Sequence, residues 1–217
     1  MKICSVNGCS EVYYCKGYCQ RHWGQIRRHG EISDNIKRNR RLKNEIIIES
    51  LICKMKLYNN EGLEIAETLF DLKYKEEIEK FKWHLSDHGY VKCNWFDENK
   101  KHKMMFLHSA IIYLSNQEVP DGYEIDHKDT NKLNNLEINL RICTRPQNQQ
   151  NTNIRSNNSS GFKGVAWSNH NKNWLAKLKI NNKEIFLGYF TNEKDAAIAY
   201  NKAAIQHFGE FARINEI

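Results

Sequence analysis

Apolar and polar residues alternate in short runs along most of the chain, while two stretches show the longer spacing of helices. A basic helix is predicted over residues 20–29, and an alanine-rich helix over residues 193–208. The middle of the chain carries brief patterns of both kinds. Strands are predicted at residues 46–48, 53–58, 89–93 and 103–106, and short helices at residues 71–81 and 108–114. This mixture predicts an α+β fold.

The C-terminal residues 161–217 predict a three-stranded antiparallel sheet packed on one helix. Strands are expected at residues 162–167, 174–180 and 185–189, and Asn181-Asn182 suits a tight hairpin between the last two. The second strand has one apolar and one basic face, because Trp174, Ala176, Leu178 and Ile180 alternate with Leu175, Lys177 and Lys179. The small alanines let the helix pack closely on one face of the sheet, which leaves the other face free.

Composition is that of a folded globular protein, since 40% of the 217 residues are hydrophobic and 27% are charged. No apolar run reaches the length of a membrane span, and the first residues lack a secretion signal. An intracellular protein without a membrane partner is therefore expected. The predicted segments are a cysteine-rich module at 1–30, a basic linker at 31–44, a central domain at 45–153, a linker at 154–160 and a C-terminal domain at 161–217.

The distribution of charge is more informative than the net charge of +7. Basic residues exceed acidic ones near both ends of the chain, and acidic residues are in excess in the middle. Basic ends suit a polyanionic partner, whereas an acidic middle would repel one unless it binds cations. Charge alone is also explained by an ordinary solvated surface.

Four of the seven cysteines lie within the first 19 residues, and His22 follows them. In an intracellular chain such a cluster more often binds a metal than forms disulfides. Cys19 and His22 are one helical turn apart, and Cys4 and Cys9 flank the turn dipeptide Asn7-Gly8. We expect a structural zinc ion bound by Cys4, Cys9, Cys19 and His22. Cys15 in place of His22 is an alternative, and His29 is a more remote candidate.

The segment 123–153 combines residues suited to metal-assisted hydrolysis. Asp126 offers a hard oxygen ligand for Mg²⁺ or Mn²⁺, and the adjacent His127 can accept a proton from water. The carboxamides of Asn139 and Asn148 can bind a metal or orient an imidazole. Because neighbours on a strand point to opposite sides, the backbone must turn if Asp126 and His127 serve one site.

This segment resembles the HNH endonucleases, whose core is a ββα-metal fold. The resemblance rests on Asp126-His127, then Asn139-Leu140-Arg141, then Asn148, with Leu107-His108 upstream and Thr144 before the last helix. It is most similar to the homing-type branch found in phages and introns. Several separate elements agree with the family in order and spacing, whereas a lone Asp-His pair would indicate nothing.

The resemblance implies a role for each matched residue. His127 would be the general base, Asp126 and Asn148 would bind a single Mg²⁺ or Mn²⁺ ion, and Asn139 would hold the imidazole or its loop in place. Asn148 stands where the family often has histidine. His108 is open to two interpretations, a DNA contact or a packing role. DNA contacts are further expected from Arg141 and, in the cysteine-rich module, from Arg21, Arg27 and Arg28.

The C-terminal segment is similar to the APETALA/ethylene-response-factor DNA-binding domain. The matching words are Gly164-Val165, Leu187-Gly188 with Phe190, and the alanines of the helix from Ala196 to Ala204. In that family the sheet lies in the major groove, and the positions carried over are Lys163, Ala166, Lys177, Lys179, Glu184 and Phe186. Lysine reads bases less well than the arginine of the plant domains, so their sequence preference is not implied. Trp167 could contact DNA or pack in the core.

Together these features predict a homing-type DNA endonuclease that binds double-stranded DNA as a monomer and uses Mg²⁺ or Mn²⁺, with a structural zinc ion. A phage origin would locate it in the cytoplasm of a bacterial host. The alternative is a non-catalytic transcriptional regulator with the same DNA-binding modules. The presence of Asp126, His127, Asn139 and Asn148 favours the enzyme.

Overall fold

The computed structural model describes residues 2–6, 9, 11–29, 32, 43–152, 154, 158–180 and 183–217, with Arg28 and His29 described for their backbone only. The chain divides into two compact units, residues 1–42 with 60–63, and residues 43–59 with 64–217. Most of the predicted linker 31–44 lies outside the described residues, as do Asn7-Gly8 and Asn181-Asn182. Among the described residues, no helix is long and apolar enough to cross a membrane.

The N-terminal unit consists of bridged loops followed by helix α1 (Gln20–His29), which confirms the first predicted helix. Isolated bridges join Ile3 to Val12 and Cys15 to Tyr18. The turn inside the second bridge needs Gly17, whose φ of +90° disfavours side chains, and an added Cβ would lie 2.8 Å from the Ser5 hydroxyl oxygen.

The second unit begins with a three-stranded antiparallel sheet of β1 (Ile46–Glu49), β2 (Ile52–Tyr58) and β3 (Glu64–Asp71). The first two strands confirm the predictions, whereas β3 was not predicted. The helix expected at residues 71–81 is shorter: a 3-10 turn (Leu72–Tyr74) leads into α2 (Lys75–Ile78). The Trp83 indole nitrogen donates to the Ile78 carbonyl at 2.7 Å, which satisfies a carbonyl at the helix end.

A second antiparallel sheet contains β4 (Trp83–Leu85), β5 (Val91–Phe96) and β6 (His102–Phe106), and α3 (Leu107–Leu114) follows directly. Asn44 joins the first two sheets, since its side chain bonds the backbone of both Lys56 and Trp83. Both sheets and α3 enclose one apolar core. Its largest fully buried side chains include Trp83, Phe70, Met55, Leu57, Ile78, Leu107 and Ile111.

A ββα unit follows the core, as the resemblance predicted. Strands β7 (Tyr123–His127) and β8 (Leu140–Thr144) pair antiparallel, with Asp126 opposite Arg141. Helix α4 (Arg145–Gln150) starts at a capping box between Thr144 and Gln147. The strand and the helix therefore enter one small site from adjacent sides.

The C-terminal module has strands β9 (Val165–Ser168), β10 (Asn173–Ile180) and β11 (Lys183–Phe190) in the order β11-β10-β9, covered by α5 (Glu193–Phe208). The predicted helix and antiparallel sheet are confirmed. Gly164 permits the close approach of α5, because a Cβ there would lie 2.1 Å from the Tyr200 ring. The whole is a mixed α/β protein with several small antiparallel sheets.

Candidate functional site

The end of β7 and helix α4 line a small pocket of about 350 Å³. Asp126 and His127 both line it although they are neighbours on a strand, because the chain turns at once: the Thr130 amide donates to the His127 carbonyl at 2.8 Å. Asn148 and Asn151 line it from the α4 side, and Lys132 adds a cationic side chain.

Asp126 is 6% exposed and is held by a two-pronged contact from Arg141. The Arg141 Nε and Nη2 atoms donate to Asp126 Oδ2 at 2.9 and 2.7 Å. The Asn151 amide nitrogen lies 3.1 Å from Oδ1 and 3.0 Å from Oδ2, and also donates to the His127 carbonyl at 2.8 Å. The carboxylate is thus fixed, and its Oδ1 atom accepts fewer hydrogen bonds than its Oδ2 atom.

The structure corrects the expectation that Arg141 contacts DNA. Its side chain is buried against Asp126 rather than directed to solvent, and the residue is only 9% exposed. Arg141 Nη1 also donates to the Glu210 carbonyl, and the guanidinium lies 4.1 Å from the centroid of the Phe211 ring. Arg141 therefore joins the ββα unit to the turn that follows α5.

His127 is buried and hydrogen-bonded through Nε2 to the side-chain oxygen of Asn135 at 3.1 Å. Burial lowers its pKa, and the bond to Asn135 and the charge of Asp129 oppose that shift. The net lowering favours the neutral imidazole, which is the form able to accept a proton.

His108 packs beside this ring and not in a solvent-facing position. Its ring stacks on Phe106 with centroids 5.3 Å apart and meets His127 edge to face at 5.3 Å. Burial, with a contribution from His127, lowers the pKa of His108 to about 3. These contacts favour the packing interpretation of His108 over a DNA contact.

Asn139 holds the loop between β7 and β8 rather than the imidazole. Its amide nitrogen donates to Asp129 Oδ1 at 2.9 Å and to the Asn134 carbonyl at 2.8 Å, and its oxygen accepts from the Asp129 amide at 3.1 Å. Of the two roles left open by the sequence, the contacts match the loop-holding one.

Asn148 is oriented by Glu124, whose carboxylate accepts from the Asn148 amide nitrogen at 2.7 Å. The nitrogen is thereby assigned to Glu124, which leaves the amide oxygen as the group available for a cation. Asn148 and Asp126 can thus each offer an oxygen at the same pocket.

Three residues of the site were missed from sequence: Asn135, Asn151 and Glu124. Asn151 follows Asn148 by three residues, so helical spacing alone could have indicated it. Glu124 precedes Asp126 by two residues on the same strand, which places both on one face. Asn135 lies in the loop segment 131–135, which also matches the family pattern, but its role could not be assigned because its contact with Thr68 depends on a strand that was not predicted.

The N-terminal unit brings together Cys4, Cys9, Cys19 and His22, whose ligand atoms all lie within 4.8 Å of one another. The Cys4 and Cys19 sulfurs lie 3.1 and 3.5 Å from His22 Nδ1. In a tetrahedral zinc site with zinc–sulfur bonds of about 2.3 Å, sulfurs are about 3.8 Å apart, so the group fits that ion. Although burial opposes ionisation, hydrogen bonds from His22, Cys19 and Val6 together lower the pKa of Cys4 to about 6, towards the thiolate that binds metal.

Cys15 lies outside this cluster and belongs to the bridge with Tyr18. Arg21 directs Nη2 to His22 Nε2 at 3.1 Å and to the Cys9 sulfur at 4.0 Å, so it lies over the cluster. Arg27 is exposed on α1. The side chains of Arg28 and His29, both candidates from sequence, are outside the described residues.

In the C-terminal module, the free sheet face carries Lys177, Lys179, Glu184 and Phe186. Lys177 pairs in register with Phe186, and Lys179 with Glu184; Lys177 forms an ion pair with Glu184 at 2.9 Å. Phe186 is exposed and its ring lies 5.1 Å from that of Tyr189. An exposed aromatic beside lysines suits nucleic acid.

Lys163 and Trp167 were both expected to contact DNA. Trp167 pairs in register with Trp174 and their rings lie 5.2 Å apart, but Trp167 is 43% exposed, so its DNA contact stays a prediction. The Lys163 amine donates to the carbonyls of Gln150 and Thr152 at 2.6 and 2.8 Å. Burial lowers its pKa to about 8. Lys163 thus ties the module to the end of α4.

The free sheet face and the pocket that contains Asp126 and His127 open onto connected surfaces. A groove of about 1320 Å³ is lined by Ala166, Lys177 and Lys179 on one side and by Gln149 and Thr152 on the other. Gln149 and Thr152 also line the smaller pocket that contains Asp126 and His127.

A strand hairpin and helix that gather a carboxylate, a neutral imidazole and carboxamides define a nuclease-type site. The HNH endonuclease family model matches residues 106–150. An uncharacterized HNH endonuclease of Acanthamoeba polyphaga mimivirus is 35% identical over 140 residues, which are 64% of this chain and 70% of that protein. The chain belongs to the HNH endonuclease family and is a nuclease.

Two further relatives match smaller parts. Protein 3.8 of Escherichia phage T7 is 34% identical over 77 residues, 36% of this chain and 64% of that protein. An AP2-like ethylene-responsive transcription factor of Arabidopsis thaliana is 40% identical over 52 residues, 23% of this chain and 15% of that protein. The likeness to the plant factor is thus partial.

Replacement of Arg141 by methionine should lower the free energy of unfolding by about 3–5 kcal/mol, because Asp126 would remain buried without its cation. Adding Asp126→Asn to that variant should restore part of the loss, since the orphaned charge is removed. Urea denaturation of wild type, both single variants and the double variant measures the coupling. An additive double variant would contradict the importance of the pair.

Proposed function

We propose that the chain is a divalent-metal-dependent endonuclease that hydrolyses phosphodiester bonds of double-stranded DNA. The observation that carries the proposal is the meeting of a buried neutral His127 with Asp126 and Asn148 at one pocket. Membership of the HNH family supports the same conclusion. A homing-type activity on a defined site, exerted by a monomer, is the finer form of this proposal.

The donor set fits one Mg²⁺ or Mn²⁺ ion. Asp126 would contribute Oδ1, since Oδ2 already accepts two bonds from Arg141, and Asn148 would contribute the oxygen left free by its bond to Glu124. Two protein oxygens of this hard type are what magnesium sites commonly provide, with water and phosphate completing the shell. When bound by these residues, the ion would neutralise charge on the phosphate and on the departing oxygen.

The chain's own residues perform the remaining steps. His127 accepts a proton from the attacking water while the water oxygen forms a bond to phosphorus and the bond to the departing oxygen breaks. The neutral ring is ready for this step because burial disfavours its protonation. Asn139 holds the loop that follows His127, so the backbone next to the imidazole is fixed.

The N-terminal cluster is proposed to bind structural zinc and to present Arg27 to DNA. A small, polar segment gains much of its order from such an ion. The C-terminal module is proposed to bind DNA through its free face, with Lys179 and Phe186 exposed there and Lys177 paired to Glu184. The partial likeness to a plant transcription factor supports this role.

The competing candidate is a DNA-binding regulator with an inactive core. Its distinguishing feature would be a damaged site, yet Asp126, His127 and Asn148 are present and share one pocket. A DNA-cleavage assay distinguishes the two candidate functions.

Supercoiled plasmid and host genomic DNA should be cut when Mg²⁺ or Mn²⁺ is added, and His127→Ala should slow cleavage by about a hundredfold or more. His88→Ala is the matched control, because His88 is exposed and only its backbone carbonyl contacts Lys132. Gel quantification of nicked and linear products gives the rates. Binding without cutting under both metals would favour the regulator.

Purified protein should contain about one zinc ion per chain, and Cys9→Ser should lose it. Cys15→Ser is the matched control and should retain zinc, because Cys15 is not among the clustered ligands. Metal content by atomic absorption, together with thermal melting, reports the outcome. Zinc loss in Cys15→Ser with retention in Cys9→Ser would overturn the ligand set.

Lys179→Gln should weaken DNA binding and reduce the slope of log affinity against log salt concentration by about one. Lys202→Gln is the matched control, because Lys202 is exposed on α5, the helix on the opposite face of the sheet. Fluorescence anisotropy over a range of salt concentrations measures both slopes. Equal slopes for the two variants would argue against DNA on the free face.

A further inference from the structure

A chain of hydrogen bonds runs from His127 into the protein interior through two polar side chains. His127 Nε2 and Asn135 Oδ1 are 3.1 Å apart, Asn135 Nδ2 donates to the Thr68 hydroxyl at 2.9 Å, and that hydroxyl donates to the Leu133 carbonyl at 2.8 Å. Asn135 is 1% exposed and Thr68 is fully buried. We call these three side chains the His127 relay.

The directions of these bonds follow from the two groups that accept from Asn135 Nδ2. The shorter contact is with the Thr68 hydroxyl at 2.9 Å, whose own proton goes to the Leu133 carbonyl, and the longer one is with the Lys132 carbonyl at 3.2 Å, which can only accept. The amide nitrogen of Asn135 therefore points to Lys132 and Thr68, and its oxygen points to His127. An oxygen acceptor requires a proton on the imidazole nitrogen that faces it, which is Nε2.

The relay is built by β3 and the loop before β8. The Leu69 amide donates to the Leu133 carbonyl at 2.8 Å, and the Asn135 amide donates to the Leu69 carbonyl at 2.9 Å. This short parallel pairing places Thr68 beside Asn135, although 67 positions separate them. Breaking one link leaves a buried polar group unsatisfied, so the arrangement resists alternatives.

We propose that Asn135 and Thr68 are positioning residues that hold neutral His127 as the Nε2-protonated tautomer, which leaves Nδ1 as the nitrogen that accepts the proton from water. The catalytic use of this tautomer rests on the proposed nuclease function. Which tautomer His127 adopts does not depend on that function and can be measured without it. Asn135 and Thr68 act only through His127.

The kinetic test compares Thr68→Val with Thr68→Ser. Valine is nearly isosteric with threonine but removes the acceptor for Asn135, whereas serine keeps the hydroxyl. We expect Thr68→Val to lower kcat by about tenfold, a part of what a general base provides, with KM for DNA within about twofold of wild type. Thr68→Ser should recover most of the activity. A loss of activity in Thr68→Val that is carried by a rise in KM, or one that Thr68→Ser shares, would overturn the positioning role.

A second test needs no activity. Imidazole nitrogen NMR of the full chain, without added Mg²⁺ or Mn²⁺ and at a pH of about 8, distinguishes a protonated ring nitrogen from one with a free lone pair. The signals of His127 are those lost in His127→Ala. We expect a proton on Nε2 in wild type and in Thr68→Ser, and a mixture of tautomers in Thr68→Val.

A proton on Nδ1 in wild type would overturn the proposal, as would an unchanged tautomer population in folded Thr68→Val. If Thr68→Val does not fold, the wild-type spectrum still decides the tautomer. A chain that never cleaves DNA but shows Nε2 protonation would refute the proposed function while the relay stands.

Discussion

The buried ion pair between Asp126 and Arg141 is the interaction on which the site depends. Removing two charges from water is costly, and a single contact rarely compensates. Here the two-pronged geometry, the Asn151 amide and the Glu210 carbonyl satisfy both partners. Because Asp126 is on β7 and Arg141 on β8, the pair also fixes how the two strands of the ββα unit meet.

Side-chain carboxamides orient most of the other groups of the site. Asn135, Asn139 and Asn151 each bond to two or more groups of the site and its loop, and none adds a charge. An amide both donates and accepts, so it can direct a carboxylate, an imidazole or a backbone carbonyl without changing the local electrostatic balance. A charged group in these buried positions would perturb the pKa of His127 far more.

Sequence patterns predicted those elements of this molecule that are determined by residues close together in the chain. Helices α1 and α5 and the strands around Asp126 and Arg141 follow from spacing and from a family motif. The neighbours Asp126 and His127 were recognised, but the role of Arg141 was not, because an arginine in a basic protein suggests DNA until its burial is known. Thr68 and Asn135 were missed for a different reason: their contact arises from strand β3, whose mixture of Glu, Ala and Thr gave no clear period.

The attachment of the C-terminal module to the ββα unit constrains how the two can act together. Lys163 bonds the carbonyls at the end of α4, and Arg141 bonds the turn after α5, so the module is tied at two places. Asn215 further ties the chain end to Lys163 and Asn201. If the free sheet face binds DNA as proposed, its attachment at two places would set the distance between the bound segment and the phosphate at His127. Selection of the cleavage position would then follow from rigid geometry, and not from base contacts at the scissile bond itself.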